Sequence, residues 1–203
     1  MIEFARDGGL WTATIARPDK ANALTGEMLE ALADFAETAA REARVLVLTG
    51  QGKVFSAGAD LDAARAGLAT SPLWERLSGA VAAAPVLSIA ALNGTLAGGA
   101  FGMALACDLR LAVPEARFFY PVMKLGFLPQ PSDPVRLCAL VGPARTKMIL
   151  MAGQEIGAEE ALAWGLVDRI VGPEALESAV AELAAGALGA EAAHLAGIKA
   201  LMP

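Results

Sequence analysis

Histidine, cysteine and tyrosine are scarce in this chain of 203 residues, which contains one His, two Cys and one Tyr. The two cysteines, Cys107 and Cys138, stand in apolar segments without the spacing of metal ligands, and their number gives no disulfide framework. The sequence also contains no Ser-His-Asp order and no Cys-His pair. Metal centres, disulfide scaffolds and the common nucleophilic triads are therefore not indicated, and we expect a protein of the reducing cytoplasm.

Positive charge is also in short supply, with 16 Lys and Arg against 22 Asp and Glu and a formal net charge of −6. This balance argues against a dedicated nucleic-acid-binding protein, which ordinarily presents a basic face.

Residues 77–107 carry no charge and could cross a bilayer by length, but Pro85, the Asn93-Gly94 pair and the Gly98-Gly99 pair divide them. We therefore interpret this segment as a buried strand, a turn and a buried helix, and expect no membrane span. Residues 1–7 lack the layout of a secretory signal peptide.

Apolar strand patterns alternate with amphipathic helix patterns along the chain, which we interpret as one domain spanning residues 1–203. Asp7-Gly8-Gly9 is a hairpin signal, and Thr25 can cap the first helix. The predicted strands cover residues 2–6, 10–16, 45–48, 86–92, 108–112, 117–120 and 167–171. The predicted helices cover residues 25–42, 73–84, 98–106, 134–151, 158–164, 174–187 and 191–201, and residues 49–58 are predicted to be a loop. The alternation favours an α/β domain with short parallel strands and a mostly helical C-terminal part.

Two glycine-containing turns carry the predicted chemistry. Residues 55–61 (Phe-Ser-Ala-Gly-Ala-Asp-Leu) and residues 93–100 (Asn-Gly-Thr-Leu-Ala-Gly-Gly-Ala) each follow a predicted buried strand and open a helix. Gly58 allows a backbone turn that other residues resist, and the Gly98-Gly99 pair lets a ligand approach the main chain closely. Free N–H groups point outward at the start of a helix. Two such turns from neighbouring strands can aim two N–H donors at one oxyanion.

Each turn taken alone is better explained as an ordinary strand-to-helix turn whose glycines permit tight packing. Together, in this order and spacing, the two turns resemble the signature of the enoyl-CoA hydratase/isomerase (crotonase) superfamily. Five further segments resemble the family pattern, namely residues 17–24, 45–50, 107–110, 118–126 and 158–168. The resemblance extends over nearly the whole chain, which is identified on this basis as a member of the superfamily.

The resemblance implies a crotonase-like spiral of ββα units and a thioester carbonyl held by two backbone amides, those of Ala59 and Gly99. It also implies substrate contacts from a further set of residues, namely Lys20, Ala21, Ala57, Asp60, Leu61 and Gly98. A loop lysine such as Lys20 more often faces only water, and Asp60 is explained equally well as a helix cap alone. The implied partner is an acyl-CoA thioester whose coenzyme A is part of the substrate, so no separate cofactor or metal is expected. We also expect a homo-oligomer, specifically a trimer, because the apolar helices after Pro134 are many for one small domain.

The chain departs from the family pattern at the positions that handle protons. Hydratases of this family use two glutamates to activate water and move a proton, and these positions are Gly102 and Val122 here. A positioned acid or base is worth roughly 10²- to 10⁴-fold in rate, so we expect weak or absent hydration. The late glycine-rich turn of the family is replaced by residues 129–133 (Pro-Gln-Pro-Ser-Asp). The sequence also stops at Pro203, so we expect a truncated helical extension and an acyl pocket that is open or covered by a neighbouring subunit.

Three residues are candidates to replace the missing glutamates, and each has a simpler explanation. Asp133 precedes Pro134 and is better explained as a helix N-cap. Tyr120 lies beside the second glutamate position, but a buried tyrosine is usually a core residue with a satisfied hydroxyl group. His194 lies among alanines in the last predicted helix, where packing or surface exposure is the simpler explanation.

Two functions of different classes are open at this point. The first is a divergent acyl-CoA enzyme, in which two amides stabilise an enolate or a tetrahedral intermediate during decarboxylation, isomerisation or thioester hydrolysis. The second is a noncatalytic acyl-CoA-binding or assembly protein. The acid and base groups distinguish the two, because they are missing while the pair of glycine turns is intact. The enzyme would be a lyase, an isomerase or a hydrolase of fatty acid metabolism.

Overall fold

A computed structural model describes residues 1–202 of the chain. The strands are β1 (Ile2–Asp7), β2 (Leu10–Ile15), β3 (Val45–Gly50), β4 (Val54–Ser56), β5 (Leu87–Leu92), β6 (Thr95–Ala97), β7 (Leu109–Ala112), β8 (Arg117–Phe119), β9 (Ile156–Gly157) and β10 (Arg169–Ile170). The α-helices are α1 (Gly26–Glu42), α2 (Leu61–Arg65), α3 (Leu73–Ala83), α4 (Phe101–Leu105), α5 (Val122–Leu125), α6 (Asp133–Leu150), α7 (Ala158–Trp164), α8 (Leu176–Gly189) and α9 (Ala192–Lys199). Short 3₁₀ turns precede several helices, including one over Gly98–Ala100 before α4.

The larger sheet contains six strands in the order β1-β2-β3-β5-β7-β10. The β1–β2 hairpin is antiparallel, as the turn at residues 7–9 predicts, and the remaining neighbours are parallel. β3 is central, and its four residues from Val45 to Leu48 are all buried. A continuous apolar run of this kind is typical of a parallel strand covered on both faces. The predicted parallel sheet is therefore confirmed.

A second, smaller sheet contains four strands in the order β4-β6-β8-β9. β4, β6 and β8 are mutually parallel, and β9 joins β8 antiparallel. The prediction of a continuous loop over residues 49–58 is wrong, because Val54–Ser56 pairs with Thr95–Ala97 in this sheet. The chain adds one strand to the larger sheet and the next strand to the smaller sheet before it enters a helix. It does so three times, with the pairs β3-β4, β5-β6 and β7-β8. These repeats form the predicted spiral of ββα units.

Helices α1 and α3 pack against each other and close one side of the core. Thr25 caps α1 as predicted, since its hydroxyl oxygen accepts a hydrogen bond from the amide of Met28 at 3.3 Å. The buried face of α1 includes Leu29, Leu32 and Phe35, which repeat at the spacing of a helix that covers a sheet. Burial of this apolar stripe is what stabilises a helix of this length.

The C-terminal part is mostly helical, as predicted, but α6 is not one straight helix. Gly142 has a φ of 81° and Pro143 follows it, so the axis bends there. The last helix, α9, is attached to the larger sheet by Lys199, whose Nζ donates to Asp108 Oδ2 at 2.8 Å. His194 lies exposed on α9, and no helix among residues 1–202 is long and apolar enough to cross a membrane.

Candidate functional site

The smaller sheet brings three chain segments to one edge. In its register, Ser56 is paired with Leu96, and Leu96 is paired with Phe118. Because β4, β6 and β8 are parallel, the residues that follow them emerge side by side at the carboxyl ends of the strands. The two predicted glycine turns therefore lie next to each other, and Tyr120 emerges beside them after β8.

A cavity of about 320 Å³ opens at this edge. Its wall is mostly apolar and is formed by Ala57, Ala59, Leu61, Ala64, Arg65, Ala69, Trp74, Gly98, Gly99, Tyr120, Pro121, Val122, Leu125, Phe127, Leu128 and Gln130. The rim is apolar as well, since Leu61 and Leu128 are 71% and 86% exposed. An apolar pocket with a few convergent polar groups is the usual form of a small-molecule site.

The peptide between Gly58 and Ala59 is fixed in orientation by a neighbouring segment. The Gly58 carbonyl oxygen accepts from the amide of Leu24 at 2.8 Å, and the amide of Asp60 donates back to the Leu24 carbonyl at 2.8 Å. In a trans peptide the C=O and the following N–H point in opposite directions. The N–H of Ala59 therefore points away from Leu24, and within residues 1–202 it has no hydrogen-bond acceptor.

The amide of Gly99 lies at the start of the second helix. The Gly98 carbonyl is directed along the helix, where it accepts from the amide of Phe101. The Gly99 N–H consequently points back out of the first turn, and it too has no acceptor in the described part of the chain. Gly99 is backed by Trp74, because a Cβ built at position 99 would lie 3.2 Å from two atoms of the indole ring. Ala59 and Gly99 thus line one cavity with unpaired amides.

Gly58 allows the two turns to approach each other. Its φ is +92°, and a Cβ added there would lie 3.0 Å from the Ala97 carbonyl oxygen and 3.3 Å from the Gly99 nitrogen. Only glycine combines this backbone conformation with so little space. The close approach of the turns is therefore encoded at position 58.

The residues predicted to contact substrate fall into two groups. Ala57, Leu61 and Gly98 line the cavity together with the two amide positions. Lys20, Ala21 and Asp60 do not line it. Lys20 is exposed at the end of a 3₁₀ turn over Pro18–Lys20, and the Ala21 carbonyl accepts from the amide of Ala57 at 3.0 Å.

The Asp60 carboxylate is held by hydrogen bonds from neighbouring residues. Its Oδ1 accepts from the amides of Asp62 and Ala63 and so caps α2, while its Oδ2 accepts from Arg17 at 2.8 Å. The pKa of Asp60 is lowered, first by the hydrogen bond from the Ala63 amide and then by Arg17. The predicted helix cap at Asp60 is confirmed, and its predicted contact with substrate stays a prediction.

Gly102 and Val122, where the resemblance leads us to expect the glutamates of family hydratases, lie in different environments. Val122 begins α5 and belongs to the cavity wall. Gly102 lies buried in α4, and a Cβ added there would lie 2.8 Å from Asp133 Oδ1. A carboxylate from a different helix therefore occupies the space beside Gly102.

The interpretation of Asp133 as a helix N-cap is wrong. Asp133 is the first residue of α6 rather than its cap, and its side chain turns inward, away from the backbone amides of the helix. It is 1% exposed, and the Tyr120 hydroxyl donates to its Oδ2 at 2.9 Å. Asp133 Oδ1 is buried without a hydrogen-bond partner. Tyr120 has the satisfied hydroxyl expected of a buried tyrosine, but it also lies on the cavity wall and stacks on Phe101.

Burial changes the titration of both groups. It raises the pKa of Asp133 to about 7, because the charged form loses hydration that the single hydrogen bond from Tyr120 only partly replaces. Burial and the neighbouring Asp133 carboxylate also raise the pKa of Tyr120. A perturbed pair of this kind beside a cavity is a frequent mark of a functional site.

Several cavity residues gave no distinctive signal in the sequence. Trp74 is the second residue of the helix predicted over residues 73–84, where a core position is the simpler expectation. Phe127 and Leu128 directly precede the altered turn over residues 129–133, and Gln130 lies within it, where the sequence carries no recognisable pattern. Gln130 is held by its side-chain amide, which donates to the Ala69 carbonyl at 3.0 Å. Among residues 1–202, no group of three or more His, Cys, Asp and Glu side chains could hold a metal ion.

The ββα spiral, with its two glycine turns at one cavity, is a crotonase fold. Residues 5–203 match the sequence model of the Enoyl-CoA hydratase/isomerase family, and the chain belongs to that family.

Individual relatives agree with this assignment. The chain is 39% identical over 194 residues to a carnitinyl-CoA dehydratase of Citrobacter koseri, covering 90% of this chain and 72% of the relative. It is 34% identical over 175 residues to a probable enoyl-CoA hydratase of Mycobacterium leprae, covering 84% and 71%. The crystal structure of an enoyl-CoA hydratase from Bacillus anthracis matches with a TM-score of 0.90 at 30% identity, covering 98% of this chain and 80% of that one.

Proposed function

We propose that this chain is an enzyme that binds an acyl-CoA thioester and holds its carbonyl oxygen with the amides of Ala59 and Gly99. The observation that carries the proposal is that both amides lack an acceptor while both residues line one apolar cavity. The acyl chain would occupy the cavity, and the charge that develops on the carbonyl oxygen would fall between the two N–H groups. One such preorganised donor is typically worth roughly 2.7–4 kcal/mol of activation free energy.

The proposed reaction is not standard hydration. The relatives named above are a dehydratase and a probable hydratase, whereas Gly102 and Val122 leave this chain without the two glutamates that hydration uses in the family. Stabilisation of an enolate or a tetrahedral intermediate would still serve isomerisation, decarboxylation or thioester hydrolysis. An acyl-CoA-binding protein without turnover is the second candidate, because neither Gly102 nor Val122 can carry a proton.

The coenzyme A part of the ligand would lie outside the cavity. The exposed Lys20, with Ala21 behind it, would meet the phosphates of coenzyme A, and Asp60 would hold the turn in place through Arg17. Coenzyme A enters as part of the substrate, so the proposal includes no further cofactor. We also propose a cytoplasmic location and a homotrimeric assembly, which fractionation and light scattering would test.

Comparison of two ligands that differ only in the carbonyl group tests the carbonyl contact. Octanoyl-CoA and S-octyl-CoA have the same chain and the same nucleotide, but the thioether has no oxygen for the amides to bind. Each net hydrogen bond is worth about 0.5–1.5 kcal/mol, so we expect calorimetry to show tighter binding of the thioester by about tenfold or more. Equal affinities would show that the amides do not bind the carbonyl oxygen.

The two candidate functions are separated by turnover. A panel of saturated, 2-enoyl, 3-enoyl and malonyl-type CoA thioesters would be incubated with the protein, and products would be identified by mass spectrometry with binding measured in parallel. Conversion of any member supports the enzyme. Tight binding across the panel without any product would instead support the noncatalytic candidate.

A further inference from the structure

Asp133 and Tyr120 form a buried pair that touches the cavity on one side only. Tyr120 belongs to the cavity wall, and its hydroxyl group connects the wall to the carboxyl group behind it. Asp133 does not line the cavity, and its Oδ1 faces the bare Cα of Gly102 without a partner. A buried carboxyl oxygen without a hydrogen bond destabilises the fold, so its presence beside a ligand cavity calls for a role.

The charged groups around Asp133 come from α3 and α6. Glu75 of α3 raises its pKa, and Arg136 of α6 lowers it. Glu75 is itself held by Ser132, whose amide and hydroxyl both donate to its Oε1 at 3.1 and 2.9 Å. On the side of α4 the neighbour is the uncharged Gly102. Glu75 and Arg136 therefore act on the pKa of Asp133 in opposite directions, and Tyr120 is the contact of the pair with the cavity.

We propose that Tyr120 and Asp133 transfer the proton at the α-carbon of the bound acyl-CoA, with Tyr120 as the catalytic residue and Asp133 as the positioning residue behind it. The proposal rests on the proposed function, because it requires a thioester whose enolate is stabilised by the amides of Ala59 and Gly99. It supplies the acid/base chemistry that Gly102 and Val122 lack.

The direction of one hydrogen bond determines what the pair can do. When Asp133 is ionised, the Tyr120 hydroxyl donates inward to Oδ2. Its oxygen accepts from the Gln130 amide at a long 3.5 Å and keeps a second lone pair to accept a proton from the cavity. When Asp133 is protonated, the carboxyl O–H can donate to the Tyr120 oxygen, and the phenol O–H turns toward the cavity as a donor. The pKa of Asp133 near 7 keeps both states populated at neutral pH.

The transfer balances without any further reactant. The α-carbon–hydrogen bond breaks as its proton passes to the Tyr120 oxygen, and the phenol proton passes to Asp133 Oδ2. The electron pair moves to the carbonyl oxygen and gives an enolate between the two amides. Return of a proton to the α-carbon regenerates the substrate, and in a 3-enoyl-CoA its return to the γ-carbon gives the 2-enoyl isomer. One acid/base pair is sufficient for this isomerisation, whereas hydration also requires an activated water.

The test is exchange of the α-protons of a 3-hexenoyl-CoA with solvent deuterium, measured by mass spectrometry alongside its binding constant. Tyr120→Phe and Asp133→Asn preserve shape, and we expect each to lower the exchange rate by roughly 100-fold or more with little change in binding. The wild-type rate should rise as pH passes through about 7, because the ionised pair accepts the proton, and the Asp133→Asn profile should be flat. The exposed Asp62, in the helix at the cavity rim, supplies a matched control, and Asp62→Asn should retain wild-type exchange.

Each outcome decides the proposal. Wild-type exchange that persists in both variants would overturn the proton transfer and leave the proposed function intact. Binding of the thioester without wild-type exchange would also overturn it. Absence of acyl-CoA binding would overturn the proposed function and the proton transfer together. Thermal unfolding of each variant would verify that lost exchange does not reflect an unfolded chain.

Discussion

Asp133 combines burial with an unpartnered oxygen, and both properties lower the stability of the folded chain. The room for its carboxyl group exists only because position 102 has no side chain, since a Cβ there would lie 2.8 Å from Oδ1. Natural sequences break packing rules of this kind mainly at functional sites. Gly102 and Asp133 are therefore coupled, because the Asp133 carboxyl group lies where a side chain at position 102 would begin.

The titration of Asp133 predicts a stability difference that depends on pH. A carboxyl group whose pKa rises from 3.8 to about 7 on folding favours the folded state below pH 4, and this contribution is lost as pH rises through 7. An amide at this position does not titrate, so Asp133→Asn should be more stable than the wild type at pH 8, by an amount on the order of a few kcal/mol. This difference in the free energy of unfolding between the variant and the wild type should be smaller at pH 5. Urea unfolding of both proteins at the two pH values measures it, and a gap independent of pH would refute the raised pKa.

The same geometry predicts that restoring the family glutamates will not restore hydration. In the double variant Gly102→Glu with Val122→Glu, the first new side chain would begin where the Asp133 carboxylate already lies. Overpacking typically costs roughly 1–3 kcal/mol, and two buried carboxyl groups in contact cannot both ionise freely. We expect no rapid hydration of crotonyl-CoA by the folded variant in a spectrophotometric assay. Turnover comparable with that of an ordinary hydratase would show that the site lacks only its two carboxylates.

At the scale of elements, the close approach of the two glycine turns should depend on position 58. Gly58→Ala combines a positive φ with a Cβ 3.0 Å from the Ala97 carbonyl oxygen, whereas Gly67→Ala has a positive φ of 103° in open space. Backbone strain should lower the free energy of unfolding of both variants by roughly 1–2 kcal/mol. Overpacking should lower that of Gly58→Ala by about 1–3 kcal/mol more. Only Gly58→Ala should weaken thioester binding, because it pushes Gly99 away from Ala59. Chemical unfolding and calorimetry measure both effects, and equal losses in the two variants would contradict this account.

The elements with a strong pattern could be predicted from the sequence. The run from Val45 to Leu48 indicates a buried strand, and Thr25 and Asp60 mark helix starts that the structure confirms. The second sheet could not be predicted in this way. Val54–Ser56 and Thr95–Ala97 are three residues each, too short for a periodic signal, and their pairing with each other is a contact between segments distant in the sequence.

Site residues could be predicted from the sequence where their role depends on neighbouring residues, and not where it depends on contacts with distant segments. The turns at Gly58 and Gly98 can be recognised because each is a local strand-turn-helix pattern and the two occur together in the order and spacing of the family. The place of Asp133 depends on a contact with Gly102, which is distant in the sequence, and the local Asp-Pro pattern indicates a cap instead. Long-range packing overrode that local preference.

At the scale of the whole molecule, we predict that the chain assembles as a homotrimer. The helical part exposes large apolar side chains, including Val135 at 71% and Met151 at 64%. Exposed apolar faces of this kind commonly mark contacts between proteins. Light scattering during size-exclusion chromatography at micromolar concentration should give three times the mass of the chain. A monomer under these conditions would refute the assembly.

The account depends most on the contact between the thioester carbonyl oxygen and the amides of Ala59 and Gly99. Isotope-edited infrared spectroscopy of bound octanoyl-CoA, with ¹²C or ¹³C at the carbonyl carbon, measures this contact without any change to the protein. Two hydrogen bonds to one oxygen polarise the C=O bond, so we expect its stretching band to move to lower frequency on binding. A band that stays at its position in water, or moves to higher frequency, in a sample where the ligand is fully bound would contradict the account.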